Sequence, residues 1–230
     1  MSPFEAPPAV ATLLELSPWM AQLDAAQQQR VRSDLVERAV PAGGFVCRKG
    51  EAVANWIGVI EGLVKISSVS VEGKSVSFTG VAPGGWFGEG SLLKDEPRRY
   101  DAVALRDSRI AYLPRATFQW LLDTSIPFNR HLLEQLNERL GQFIATVEFD
   151  RLLGPDARVA RCLAQLFNPL LYPGIGPKLA ISQGELGFLT GLSRQRVNQA
   201  LRTLEQRGLL MVEYGSVTVL SLEGLRSFEQ

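Results

Sequence analysis

One stretch near the C-terminus, ISQGELGFLTGLSRQRVNQALRTLEQRGLLMVEYGSVTVLS, limits what this chain can fold into more than any other. Ser182 stands three residues before Glu185, the spacing at which each side chain bonds the other residue's free backbone N–H and starts a helix. That helix is expected over about Gln183 to Thr190. Gly191 can adopt the left-handed conformation a tight stop needs, and Ser193 is placed as the N-cap of a second helix. Only three or four residues form the turn. Gly187 is small where two such helices cross, and Leu186, Leu192, Val197 and Leu201 supply the apolar faces that hold them together, which is helix-turn-helix spacing. Around Tyr214-Gly215, LLMVEYGSVTVL reads as two short strands, completing a winged helix.

The second helix has a polar face rich in cations. RQRVNQALRTLEQRG carries Arg194, Arg196, Arg202 and Arg207 against one acid, Glu205. Arginine pairs bidentately with guanine and glutamine with adenine, while surplus arginine attracts phosphates whatever the sequence. Ser182, Ser193, Arg194, Gln195, Arg196, Gln199 and Arg202 are therefore the candidate contacts to double-stranded DNA. A helical protein-contact module with a solvated arginine face is the bland alternative.

Upstream, the hydrophobic period changes twice. The first 40 residues contain LLELSPWMAQL and AAQQQRVRSDLVERAV, with apolar residues at helical spacing interrupted by Pro18. From Pro41 to about Pro114 come short apolar or alternating runs, FVCRKG, NWIGVIEGLVKISSVS, KSVSFTGVA and DAVALRDSRIAYLP, which read as strands. Gly43-Gly44, Gly50, Gly62, Gly73 in VEGK and Gly84-Gly85 punctuate them as turns would in an eight-strand antiparallel roll. After ATFQWLLDT a long helix is expected from about Pro127 to Leu153. In it Leu133, Leu136, Leu140, Phe143 and Val147 step by 3, 4, 3 and 4, a seam suited to a partner helix and hence to a homodimer. Packing on its own barrel is the other reading of that seam. Gly154-Pro155 breaks the helix, and residues 156–168 resume it. The expected fold class is α+β: a sensor roll with N-terminal helices over 1–122, a dimerisation helix over 123–154 and a winged helix-turn-helix over 155–230.

Composition excludes several function classes. Two hundred and thirty residues suffice for two modest domains, and 46% hydrophobic with 24 basic against 24 acidic residues is ordinary for a globular protein. Cys47 and Cys162 are too few for a cysteine-held iron–sulfur cluster or a structural zinc site, so neither is expected. A single histidine, His131, disfavours most hydrolases and metal enzymes, and none lies in the strand region where a metal-holding roll enzyme would need it. His131 is expected to be a partly exposed structural residue, and Trp56, Trp86 and Trp120 to belong to the core. No apolar run approaches a membrane span, and MSPFEAPPAV lacks the charged and apolar regions of a signal peptide, which predicts a cytoplasmic protein.

A glycine-punctuated roll, a seam helix and a winged helix, in that order over about residues 20 to 225, resemble the CRP/FNR family of bacterial transcription regulators. The resemblance implies that the roll binds an effector, the long helix dimerises, and two winged helices read a two-fold symmetric operator with half-sites roughly 34 Å apart. It implies a regulator and not an enzyme, with RNA polymerase as a further partner in an activator and steric blocking in a repressor. GWFGEGSLLKDEPRRYDAVAL is similar to the family's phosphate-binding cassette. By that likeness Gly88, Glu89 and Gly90 form the turn, Glu89 accepts from a ribose hydroxyl, Ser91 follows in the cassette, and Arg99 binds the phosphate.

Where the family has a small hydroxyl residue after the arginine, this chain has Tyr100, and the hydroxyl pair that contacts adenine falls on Phe143 and Ile144. Those changes speak against cyclic AMP in the usual pose. The possible effectors are a cyclic mononucleotide, a cyclic dinucleotide or none, the last with Glu89 and Arg99 closing the cassette as an ion pair. Gln195 and Gln199 stand where the family commonly has glutamate and arginine, so the operator is expected to differ from the cyclic AMP receptor's usual half-site. A nucleotide-binding subunit that controls a protein partner is a further alternative.

Overall fold

A computed structural model describes residues 10–73 and 75–228 of the chain. The MSPFEAPPA start and Lys74 of the VEGK turn lie outside the described residues. Three short helices come first: α1 (Val10–Leu16), α2 (Pro18–Ala21), which Pro18 opens, and α3 (Ala25–Asp34), whose N-cap Asp24 and Gln27 form a capping box.

The next segment corrects the sequence reading, because VERAV is not helical. Val36–Val40 is β1, paired antiparallel along β8 (Ser108–Pro114), with Glu37 held to Arg109 at 2.5 Å across the pair. The edge of a sheet supplies hydrogen-bond partners that override a helical pattern in the segment itself.

Among the described residues, eight strands make the roll. β2 is Phe45–Cys47, β3 Asn55–Glu61, β4 Val64–Val69, β5 Ser75–Val81, β6 Trp86–Phe87 and β7 Asp101–Ala104. One sheet has the order β1-β8-β3-β6 and the other β2-β7-β4-β5, with every pairing antiparallel. Of the glycines that punctuate the roll, Gly43, Gly50, Gly62, Gly73 and Gly84 have positive φ, where other residues would be strained, while Gly44 and Gly85 do not. At Gly62 a Cβ would also lie 2.1 Å from the Ser108 hydroxyl.

β3 is buried on both faces. Ile57 and Val59 join Val64, Ile66, Phe87, Ile110 and Tyr112 inside the roll, while Trp56 and Ile60 point outward into a second core under the N-terminal helices. There Trp19, Trp56, Trp86, Phe118 and Phe128 stack with ring centroids 4.5 to 5.6 Å apart, worth about 0.5–1.5 kcal/mol per pair beyond their burial. Trp56 and Trp86 are core as expected. Trp120 is only half-buried, with the Arg30 guanidinium 4.3 Å above its ring.

The helical segments follow in the expected order. α4 (Glu89–Lys94) lies within the cassette, α5 (Arg115–Thr124) closes the roll, and α6 (Ile126–Leu152) is the long helix, capped by Ser125 and with Pro127 in its first turn. After Gly154, α7 (Pro155–Leu166) leads to β9 (Lys178–Ala180), α8 (Gln183–Thr190), α9 (Arg194–Gln206), β10 (Leu210–Glu213), β11 (Ser216–Val219) and α10 (Leu222–Ser227). The wing is thus a three-stranded sheet, β10-β11-β9, and not a lone hairpin. β9 and α10 are too short to show a period in the sequence. The roll interior runs on into α7 to α9 without a break: Val159, Leu163, Leu186, Val197 and Leu201 share one apolar cluster with Val64 and Phe87.

Candidate nucleic-acid interface and effector cavity

Local chemistry builds the helix-turn-helix as its spacing implies. The Ser182 hydroxyl accepts from Glu185 N at 3.2 Å, and the Glu185 carboxylate accepts from Ser182 N at 2.6 Å. Gly191 ends α8 at φ +68°, and the Ser193 hydroxyl accepts from Arg196 N at 3.2 Å to start α9. Gly187 marks the crossing, since a Cβ there would lie 2.9 Å from the Leu192 carbonyl oxygen. α9 buries Val197, Ala200, Leu201 and Leu204, one stripe at helical spacing.

That stripe leaves Arg194, Gln195, Gln199 and Arg202 exposed. Among the described residues no carboxylate pairs with Arg194, Arg202 or Arg207. Glu205, the one acid of the helix, is turned to the wing and accepts from Val212 N at 2.8 Å. The face therefore presents uncompensated positive charge beside two amides, the combination that attracts phosphates and reads base edges. Tyr214 stands fully exposed at the wing tip beside Gly215.

Arg196 requires a correction. It does not belong to the free face: its guanidinium pairs with Asp156 of α7 at 2.6 Å and is largely covered, so it fastens α9 to the scaffold. Ser182 and Ser193 are engaged as caps, as the sequence implied.

The cassette residues Gly88, Glu89, Gly90, Ser91, Arg99 and Tyr100 all line one cavity of about 520 Å³ between the roll and α6. Its walls include Ile66, Phe78, Phe87, Leu136, Leu140 and Phe143. Only Gly88 is in the turn; Glu89 and Gly90 already belong to α4. At Gly88, with φ +92°, a Cβ would lie 2.2 Å from Arg98, whose buried guanidinium donates to the carbonyls of Gly88 and Asn55. Arg98 was not singled out from the sequence, where only its position next to Arg99 could have drawn attention.

Closure of the cassette by a Glu89–Arg99 ion pair, the arrangement the effector-free alternative implies, does not occur. Glu89 pairs with Arg139 of α6 at 3.1 Å, and Arg99 is held at the cavity rim by Glu96 through two bonds of 2.7 Å, with 70% of its side chain exposed. Arg139 and Gln135 both donate to the Trp86 carbonyl, so the long helix reaches the cassette directly. Burial is the largest influence and lowers the Arg139 pKa, but the Glu89 charge and hydrogen bond together with Tyr172 and Tyr100 outweigh it and hold the pKa above the usual value. Glu89 Oε2 is left buried with no hydrogen-bond partner. The Tyr100 phenol is pushed above its ordinary range by burial and then by the Glu89 charge, so it stays a neutral donor.

His131 lies one turn before Gln135 on the same face and is buried, not partly exposed. Burial lowers its pKa below 6.5 against the opposing pull of Gln135, Glu134 and Glu89. Burial also raises the thiols of Cys47 and Cys162, to about 11 and about 12, so neither is a thiolate near neutrality.

The apolar seam of α6 is largely uncovered. Leu133, Leu140, Phe143 and Val147 are 67, 58, 41 and 51% exposed, with Ile144 beside them, while Leu136 is half-buried at the cavity wall. Among the described residues no helix is long and apolar enough to cross a membrane, and no group of three or more His, Cys, Asp or Glu side chains is placed to hold a metal ion.

A roll with a cassette cavity, joined by a long helix to a winged helix with a cationic reading face, defines a DNA-binding transcription regulator. Comparison with known proteins agrees. Residues 37–125 match the cyclic nucleotide-binding domain and residues 157–228 the Crp-like helix-turn-helix domain. The chain is 31% identical to the cyclic AMP receptor protein of Thermus thermophilus over 79% of its own length and 82% of that protein's. It is 30% identical to the transcriptional regulator SdrP of the same organism, over 75% and 82%. In fold it is similar to FixK2 of Bradyrhizobium japonicum, with a TM-score of 0.71 at 18% identity over 85% of this chain and 98% of that one. The chain belongs to the CRP/FNR family of transcription regulators.

Proposed function

We propose that the chain acts as a cytoplasmic homodimer that reads a two-fold symmetric operator, with residues 1–122 as sensor, 123–154 as dimerisation helix and 155–230 as the DNA-binding domain. The observation that carries this reading is the exposed apolar seam of Leu133, Leu140, Phe143 and Val147 on the helix that leads to the free face of α9. A stripe of that kind needs a second copy to leave water. Arg194, Gln195 and Gln199 are the base readers and Arg202 the phosphate contact, while Ser182 and Ser193 orient the helix starts. Bound near a promoter, such a dimer activates by touching RNA polymerase or represses by blocking it, and it performs no catalysis.

The cavity supports a nucleotide-type effector through Glu89 Oε2, a buried acceptor that lacks a donor and suits a sugar hydroxyl. Of the two positions on which the family's adenine contacts fall, Phe143 lines the cavity and offers no polar partner, while Ile144 is not among its walls, so a cyclic dinucleotide or another cyclic mononucleotide fits better than cyclic AMP in its usual pose. The second reading, regulation without an effector, is favoured by Arg99, which Glu96 already occupies.

Sedimentation of the purified protein, selection from random duplexes, and calorimetry with cyclic AMP, cyclic GMP and cyclic di-GMP test these statements. A dimer that Phe143→Glu converts to monomer, together with a palindromic consensus, is the expected result. A wild-type monomer overturns the dimer reading, and silence in all three titrations overturns the nucleotide effector.

A further inference from the structure

α8 does more than support α9. Glu185, Phe188 and Leu189 fall on one side of it at i, i+3 and i+4, and each meets the roll. Arg106, in the turn between β7 and β8, donates to both Glu185 oxygens, Nε to Oε1 at 2.8 Å and Nη2 to Oε2 at 2.5 Å. The Lys65 ammonium of β4 lies 5.1 Å from the centre of the Phe188 ring. Gly80 of β5 admits Leu189 so closely that a Cβ would lie 3.1 Å from it and 3.2 Å from Leu166 of α7, and the Gly80 carbonyl accepts from the Tyr172 hydroxyl at 2.9 Å.

The strongest of these contacts falls on a residue with two tasks. Glu185 closes the first turn of α8 through Ser182, and the same carboxylate is gripped by the roll, with its side chain 10% exposed and that of Arg106 28%. A bidentate, partly desolvated arginine–carboxylate pair has a fixed geometry as well as strength. The only backbone link between α6 and α7 is Leu153-Gly154, so side-chain contacts decide how the DNA-binding unit sits on the roll. In the docked arrangement Arg194, Gln195, Gln199 and Arg202 remain exposed.

We propose that Arg106 is a positioning residue for DNA binding: by gripping Glu185 it fixes α8 against the roll and so sets the direction of α9 relative to the long helix. In a dimer this grip holds two reading faces at the separation one operator requires. The inference rests on the homodimer reading.

The variants are Arg106→Gln, Arg106→Lys, Glu185→Gln and the double Arg106→Gln/Glu185→Gln. Glutamine at position 185 can keep the capping box through its amide oxygen, while it loses the charge and one of the two acceptors that Arg106 grips. The probes are a palindromic duplex selected from a random library by the wild-type protein and the same duplex with one half scrambled. Each Gln variant is expected to lose about 5- to 30-fold on the palindrome and less than about twofold on the single half-site, a coupling of the usual size between linked elements. The double variant should be no weaker than either single, and Arg106→Lys should recover part of the loss. Hydrogen exchange in residues 183–190 should be faster in Arg106→Gln than in the wild type.

Equal losses on both duplexes would mean a purely structural role and overturn the proposal, as would an unchanged palindrome affinity, additive losses in the double variant or unaltered exchange. If the wild type sediments as a monomer, the homodimer reading fails by itself, and the exchange rate alone then decides whether Arg106 holds α8. If Glu185→Gln does not fold, Arg106→Gln and Arg106→Lys carry the comparison.

Discussion

Glu89 and Arg139 face each other at 3.1 Å with 4% and 11% of their side chains exposed, an ion pair that joins the cassette to the long helix. The contact runs from the wall of the cassette cavity to the helix whose apolar seam faces outward. The pair joins the roll to the long helix in one contact.

Removing one partner should therefore cost far more than removing both. Arg139→Met leaves the Glu89 charge buried and is expected to destabilise the chain by about 3–5 kcal/mol, while Glu89→Gln/Arg139→Met should regain at least half of that loss. Urea denaturation of the three proteins measures it. A loss under about 1 kcal/mol for the single variant would show that water reaches the pair.

The helix crossing at Gly187 should tolerate no side chain. Gly187→Ala places a Cβ 2.9 Å from the Leu192 carbonyl oxygen, and a cost of about 1–3 kcal/mol is expected from the displaced turn. Thermal unfolding is the check, and a wild-type melting temperature in the variant would mean that α8 and α9 cross farther apart than described.

His131 makes stability depend on pH in a known direction. Its native pKa is depressed below the ordinary 6.5 by burial, so between 6.5 and the lower native value the unfolded chain binds a proton that the native chain refuses. Stability should be free of this effect above pH 6.5 and fall as the pH drops beneath it, by at most one proton's slope. His131→Gln should remove that slope, and a variant that keeps the wild-type dependence would assign it elsewhere.

On the reading face, amide and guanidinium should separate by salt. Arg202→Ala is expected to weaken all duplexes alike and to reduce the slope of log affinity against log salt by about 1. Gln199→Ala should instead cost about 1–3 kcal/mol against one base position and leave the slope unchanged. Titrations at several salt concentrations with selected and scrambled duplexes distinguish the two, and identical behaviour would remove the division of roles.

The parts of the fold legible in the sequence are those whose cause lies within a few residues. The Ser182–Glu185 box, the left-handed Gly191, the Ser193 cap and the turn glycines of the roll each satisfy or free backbone groups close by, so their spacing alone locates them. The long helix and its apolar seam were equally plain, because seven-residue periodicity is a local record of a face that needs cover, but that most of the seam stays off its own roll is visible only in the folded chain.

Other features depended on what distant chain brings alongside. VERAV became a strand because β8 offers an edge, and His131 is buried because the roll and the N-terminal helices close over α6. Arg196 found Asp156, and Arg99 found Glu96 in place of Glu89.

The amino-acid order by itself determined the roll, the long helix and the helix-turn-helix, since propensity, capping and hydrophobic period act over one or two turns, while the cassette was legible through its likeness to the family. Only the tertiary structure decided which charges meet: Glu89 with Arg139, 50 residues on, and Arg106 with Glu185, 79 residues on. Charged side chains are long, interchangeable in a sequence and paired by whatever burial brings within reach, so their partners are a property of the folded chain.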